Sequence, residues 1–199
     1  MLNKKRWAEV SRKTKETDIS VKLNLDGKGD SRISTGIRFF DHMLTLFARH
    51  GLFDLEIQCV GDLEVDGHHT VEDVGIALGE AFDQALGSKE GISRYGTAYV
   101  PMDEALCRTV VDFSGRPFLV CKVQFSSGKV GEMNTELVEE FFRALAMHSK
   151  ANLHVEVLYG KNSHHKVEAM FKSAAKAICA AATKNPRVEG VPSTKGVLS

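Results

Sequence analysis

His68-His69-Thr70-Val71-Glu72 and His164-His165-Lys166-Val167-Glu168 are two copies of one pattern, His-His-x-x-Glu. Four of the eight histidines sit in these two stretches. On a helix, residues three and four apart share a face, so Glu72 can meet His68 or His69, and Glu168 can meet His164 or His165. Adjacent helical residues point about 100° apart, so one ion can hardly take both members of a pair. The spacing therefore predicts two metal ions, each collecting one histidine from each pair. Histidine and carboxylate without thiolate favour a borderline-to-hard divalent ion such as manganese, iron or zinc. The His-Glu-x-x-His pattern of zinc proteases is absent.

Reading outward from each pair shows an internal duplication. Leu55-Glu56-Ile57 precedes the first pair and Val155-Glu156-Val157 the second. Both alternate as strands do and end near a glycine turn, at Gly61 and Gly160. Both pairs are followed by helix-like stretches, Val74 to Leu86 and the alanine-rich Ala169 to Thr183. Further upstream, Phe40-Asp41-His42-Met43-Leu44 corresponds to Val138-Glu139-Glu140-Phe141-Phe142, and each opens an apolar helix. The half-unit reads strands, helix, strands, His-His helix. The halves fall at about residues 3–90 and 92–185, within a single unit spanning 1–199. Strands with helices packed on one face of each sheet make the class α+β. Residues 26–30 read as a hairpin turn, 126–131 as a loop, and the tail 186–199 as irregular.

The repeat adds candidate ligands. His42, at the start of its helix, is a third ligand of the first half, and its counterpart by the repeat is Glu140. His154, alternating within a strand, is the alternative to Glu140. His50 and His148 gain no support from spacing. Several cations stand in loops or at element ends: Arg94 before Tyr95-Gly96, Arg116 in Ser114-Gly115-Arg116-Pro117, and Lys195 in Pro192-Ser193-Thr194-Lys195-Gly196. Lys172 shares a helical face with Glu168. Hydroxyl, backbone N–H and positive charge together are the ingredients of an anion site.

Bulk properties narrow the class. Of 199 residues, 43% are hydrophobic and 26% charged, and the formal net charge is zero, so a general nucleic-acid binder is not expected. No apolar run is long enough to span a bilayer, so no membrane partner is expected either. The stretch from Met1 to Lys15 is basic with no apolar signal core after it, which reads as a cytoplasmic start. None of Cys59, Cys107, Cys121 and Cys179 forms a Cys-x-x-Cys pair, and they read as free thiols in a reducing compartment.

Taken together, these segments resemble the imidazoleglycerol-phosphate dehydratase family. Further matching stretches are Arg12-Lys13-Thr14-Lys15-Glu16-Thr17, Gly61-Asp62, Pro101-Met102-Asp103-Glu104, and Asp112-Phe113-Ser114-Gly115-Arg116-Pro117. The resemblance implies dehydration of D-erythro-imidazoleglycerol phosphate to imidazole-acetol phosphate in histidine biosynthesis, with two Mn2+ ions per site. It carries metal ligation to His42, His68, His69, Glu72, His164, His165 and Glu168. The eighth place falls on Glu140, where many family members have histidine. It places substrate contacts on Glu16, His42, His50, Arg94, Arg116, Lys172, Ser193, Thr194 and Lys195. Glu16 is its first acid/base candidate and Asp103 the second, while Glu168 combines ligation with proton transfer. The fold it implies is ribosomal protein S5 domain 2-like, with sheets outside and helices between them. It also implies a homo-oligomer of about 24 subunits with sites between neighbouring chains. Two rival classes use the same histidines, a metal-dependent phosphate-ester hydrolase and a metal-storage protein. The second leaves Glu16, Arg94, Arg116 and the C-terminal Ser-Thr-Lys loop without a purpose.

Overall fold

Strict alternation of buried and exposed residues makes the strands. In β2 (Thr17–Asn24), Thr17, Ile19, Val21 and Leu23 face inward, and in β6 (Ala105–Asp112), Ala105, Cys107, Thr109 and Val111 do so. A period of two commits one face of each sheet to the core and fixes the register. The computed structural model describes residues 6–198. Residues 1–5, and with them the first part of the basic N-terminal stretch, lie outside the described residues, as does 199.

The first half contains β1 (Trp7–Lys13), β2, β3 (Ser31–Ser34), α1 (Arg38–Gly51), β4 (Asp54–Gly61) and α2 (His68–Leu86). The second contains β5 (Tyr95–Met102), β6, β7 (Phe118–Lys122), the short strands β8 (Lys129–Val130) and β9 (Met133–Asn134), α3 (Leu137–His148), β10 (Asn152–Tyr159) and α4 (Ser163–Ala182). Each half forms a four-stranded sheet, ordered β1-β2-β4-β3 and β5-β6-β10-β7. In both, the third strand runs parallel to the fourth and the other pairings are antiparallel. The halves therefore share one topology, and β8–β9 is an addition to the second.

The helices lie between the sheets and join the halves. α2 covers β1 and β2, α4 covers β5 and β6, and across the middle α2 packs on α3 while α1 packs on α4. The α1–α4 seam holds a cluster of phenylalanines. Phe141 stacks on Phe171 at 5.0 Å, and Phe40 meets Phe141 edge-on at 5.3 Å. Each such buried ring contributes about 1.5–3 kcal/mol through burial alone. At the α2–α3 seam the backbones approach so closely that only glycine fits. A Cβ on Gly75 would lie 2.8 Å from the Ala144 Cβ, and one on Gly79 would lie 2.7 Å from the His148 Cβ.

Two local readings change. Residues 26–30 do not close a hairpin, because β4 lies between β2 and β3. The segment instead passes over the start of β4, where the Asp54 carboxylate accepts hydrogen bonds from the backbone N–H of Lys28 (2.7 Å) and Asp30 (3.3 Å). Residues 126–131 are only partly loop, since Lys129 and Val130 pair with Asn134 and Met133. Glu132, in the turn of that hairpin, accepts a 3.0 Å hydrogen bond from the Phe39 N–H in the first turn of α1. It thereby satisfies one of the orphan donors of the helix that carries His42.

Candidate metal and active site

Both His-His pairs open a helix. The Asp66 carboxylate accepts the His68 N–H at 2.7 Å, and the Asn162 side chain accepts the N–H groups of His164 (2.9 Å) and His165 (3.4 Å). These caps start α2 and α4 at the histidines themselves, several residues before the apolar stretches noted in the sequence.

Glu168 is the centre of the densest group. Its Oε1 lies 3.0 Å from His164 Nε2 and 3.3 Å from His42 Nε2, so a residue of α1 joins two of α4. The ligand atoms of the three all lie within 4.8 Å of one another. Among the described residues this is the one group of three or more His, Cys, Asp or Glu side chains so arranged. The other carboxylate oxygen accepts a 2.6 Å hydrogen bond from Lys172 Nζ. Burial alone would raise the Glu168 carboxyl, but the hydrogen bonds from Lys172 and His164 outweigh it and hold the group down at about 2. Two imidazoles and an ionised carboxylate, converging without thiolate, suit a borderline-to-hard divalent ion such as Mn2+.

The remaining predicted ligands stand elsewhere in the chain. His68 Nε2 pairs with Glu72 at 3.7 Å. His69 is held through Nδ1 by Asp62 at 3.0 Å, and its Nε2 lies 3.9 Å from Glu16 Oε1. His165 is held through Nδ1 by Glu104 at 2.6 Å, and its Nε2 lies 3.6 Å from Asp103 Oδ2. Within one chain, then, no group of three joins the two His-His pairs, because α2 packs on α3 while α4 packs on α1. Glu140 meets Arg143 Nε at 3.5 Å rather than a histidine. His154 faces away from the helices: its neighbours Leu153 and Val155 fill the core, so its own side chain is on the outer face. His148 pairs with Glu80 at 3.6 Å.

The acid/base candidates occupy matching places. Glu16 sits in the turn between β1 and β2, and Asp103 in the turn between β5 and β6, both exposed. Asp103 takes a left-handed backbone with φ of 46°, which the two-residue hairpin loop requires. Carboxylate bonds on Nδ1 push the His69 and His165 imidazoles above their ordinary range. Glu104 is pulled down to about 2, first by the backbone N–H of Asn162 and then by His165. Asp62 and Glu104 escape the spacing argument because they lie in loops at no regular offset from their histidines. Their one signal is a carboxylate beside a turn, too common to single out.

The predicted anion contacts divide. Lys172 is tied to Glu168 beside the histidine cluster. His50, near the end of α1, is pushed below its ordinary range by burial and then by the charges of Lys172 and Lys176, which puts it in the same neighbourhood. Arg94 is already used: its Nε and Nη2 grip Asp112 at 2.7 and 3.1 Å, and its Nη1 donates to the Pro192 carbonyl at 2.9 Å. It thus anchors the tail that carries Ser193, Thr194 and Lys195. Ser193 Oγ accepts the Lys195 N–H at 3.2 Å, and Thr194 and Lys195 are exposed. Arg116 is exposed on a loop shaped by Ser114 Oγ, which accepts the Arg116 N–H at 3.2 Å.

Comparison with known proteins places these observations. The family model for imidazoleglycerol-phosphate dehydratase matches residues 35–178. The imidazoleglycerol-phosphate dehydratase of Acetivibrio thermocellus is 60% identical over 190 residues, covering 96% of this chain and 97% of the relative. That of Thermoanaerobacter pseudethanolicus is 61% identical over 193 residues, covering 97% and 100%. The crystal structure of the Staphylococcus aureus protein of that name superposes with a TM-score of 0.82 at 40% identity, covering 90% of this chain and 99% of the other. A Pyrococcus furiosus structure, solved as a complex, gives 0.83 at 40% identity, covering 95% and 100%.

Proposed function

The chain belongs to the imidazoleglycerol-phosphate dehydratase family, hydro-lyases of histidine biosynthesis, and from that premise we propose that it converts D-erythro-imidazoleglycerol phosphate to imidazole-acetol phosphate and water with Mn2+ as its metal. The observation that carries the metal requirement is the convergence of His42 and His164 Nε2 on the buried Glu168 Oε1. We assign His68, His69, Glu72, His165 and Glu140 to the remaining ligand places of a two-ion site. Since one chain keeps these groups apart from the Glu168 cluster, the complete site is formed between neighbouring chains of a homo-oligomer of about 24 subunits. The single unit comprises two repeats, about 3–90 and 92–185, with the tail 186–199 serving the phosphate. Among the described residues no helix is long and apolar enough to cross a membrane. The four free cysteines fit a cytoplasmic setting.

The reaction breaks a carbon–oxygen bond and removes a proton from the adjacent carbon. The departing hydroxide leaves with a proton as water, and the resulting enol turns into the ketone. When bound, divalent ions supply Lewis-acid stabilisation of charge on the substrate's imidazole. Lys172, His50, Arg116, Ser193, Thr194 and Lys195 hold the substrate, and Arg94 contributes by fastening the tail. Fixing the phosphate end orients the reacting carbon against the proton-transfer groups. Glu16 Oε1 takes or returns the proton, and Asp103 is the second carboxylate placed for that work. Glu168 stays ionised and is available for both ligation and proton transfer.

The test is turnover of imidazoleglycerol phosphate by protein stripped with chelator and then reloaded with Mn2+. Product is expected only after reloading. No product from fully loaded protein, or release of inorganic phosphate instead, would contradict the reading.

A further inference from the structure

The two histidines of each pair are held differently, and the difference repeats. The first member of each pair, His68 or His164, uses Nε2 toward the glutamate four residues on. The second, His69 or His165, is gripped through Nδ1 by a carboxylate from a loop, which leaves Nε2 facing outward. The carboxylates are not counterparts in the repeat. Asp62 comes from the loop after β4, and Glu104 from the turn between β5 and β6. The same contact is thus built twice from different parts of the fold.

We propose that Asp62 and Glu104 are positioning residues that fix the rings of His69 and His165 with the proton on Nδ1 and with Nε2 free for the metal. This rests on the two-ion reading above. An acceptor at Nδ1 fixes a histidine's tautomer and ring orientation and raises the basicity of the other nitrogen. Both carboxylates are themselves anchored. Glu104 Oε1 accepts the N–H groups of Lys161 (2.9 Å) and Asn162 (2.7 Å), while its Oε2 takes His165 Nδ1 at 2.6 Å. One side chain thus ties the loop that starts α4 to the ring at the head of that helix. The Asp62 N–H donates to the Glu16 carbonyl at 3.1 Å, so the group that orients His69 is pinned to the turn that brings Glu16 to the same ring.

Glu104→Gln separates orientation from folding. The glutamine oxygen can keep the two backbone hydrogen bonds, which leaves its NH2 facing His165 Nδ1. That amide donates where an acceptor is needed and drives the ring proton to Nε2, the ligand atom. Asp62→Asn poses the same question at His69. Mn2+ affinity by titration calorimetry is expected to fall about 10–100-fold in each variant. The melting temperature of the metal-free protein should stay at the wild-type value. In metal-free protein, 15N NMR of labelled histidine should show the His165 proton on Nδ1 in the wild type and on Nε2 in Glu104→Gln. Wild-type Mn2+ affinity in both variants would overturn the inference and leave the two-ion reading standing. A wild-type protein that takes up no Mn2+ would overturn both.

Discussion

Glu168→Gln is expected to lower Mn2+ affinity by about 100-fold or more and to take turnover down with it. The side chain is the shared partner of His42 and His164, and an amide oxygen is a neutral, weaker donor in its place. The substitution also leaves Lys172 beside the cluster without its counter-charge. That mismatch costs about 1–3 kcal/mol in the metal-free protein, because a half-buried ammonium keeps the desolvation penalty and loses its partner. Glu168→Asp restores the charge but withdraws it by one methylene, and should recover part of the stability and little of the affinity. Calorimetric metal titration and thermal unfolding measure the two effects separately. Tight Mn2+ binding in the glutamine variant would remove Glu168 from the metal site.

Glu16→Gln should behave in the opposite way, with metal uptake and stability kept and turnover reduced about 10²–10⁴-fold. Glu16 is exposed in its turn, and the turn is made by other groups: Thr14 Oγ1 accepts the N–H of Glu16 (3.1 Å) and of Thr17 (3.0 Å). The amide isostere keeps that geometry and loses only the ability to take a proton. An exposed substitution of this kind changes stability by less than about 0.5 kcal/mol. Full turnover in the variant would take Glu16 out of the chemistry and move attention to Asp103, its counterpart in the β5–β6 turn.

The contrast between these carboxylates shows what spacing can reveal. Glu168 is legible because a helix converts an offset of four into proximity to His164, and its meeting with His42 follows from a repeat that places both helices. The sheets are legible for a similar reason, since alternation at Leu55-Glu56-Ile57 and Val155-Glu156-Val157 assigns each strand one buried face. Strand order is another matter. Residues 26–30 look like a hairpin turn because glycine and aspartate favour turns of any kind, and nothing local says that β4 will lie between the strands they connect. Asp62 and Glu104 are hidden by the same limit, as loop residues meeting their histidines only through the folded backbone. Arg94 illustrates a third case. A cation beside a turn reads as an anion contact, yet in the folded chain Asp112 takes two of its donors and the Pro192 carbonyl a third. Likewise Arg143, one turn along α3, pairs with Glu140, which the repeat places among the ligands.

The central claim is that the two His-His-x-x-Glu stretches are halves of one two-ion centre shared between neighbouring chains. Anomalous diffraction at the manganese edge, on crystals of the reloaded protein, tests it most directly. The account predicts two manganese peaks per active site. One should be bound by His42, His164 and Glu168, and each should draw ligands from more than one chain. Peaks whose protein ligands all come from a single chain, or a single peak away from His42, His164 and Glu168, would contradict it.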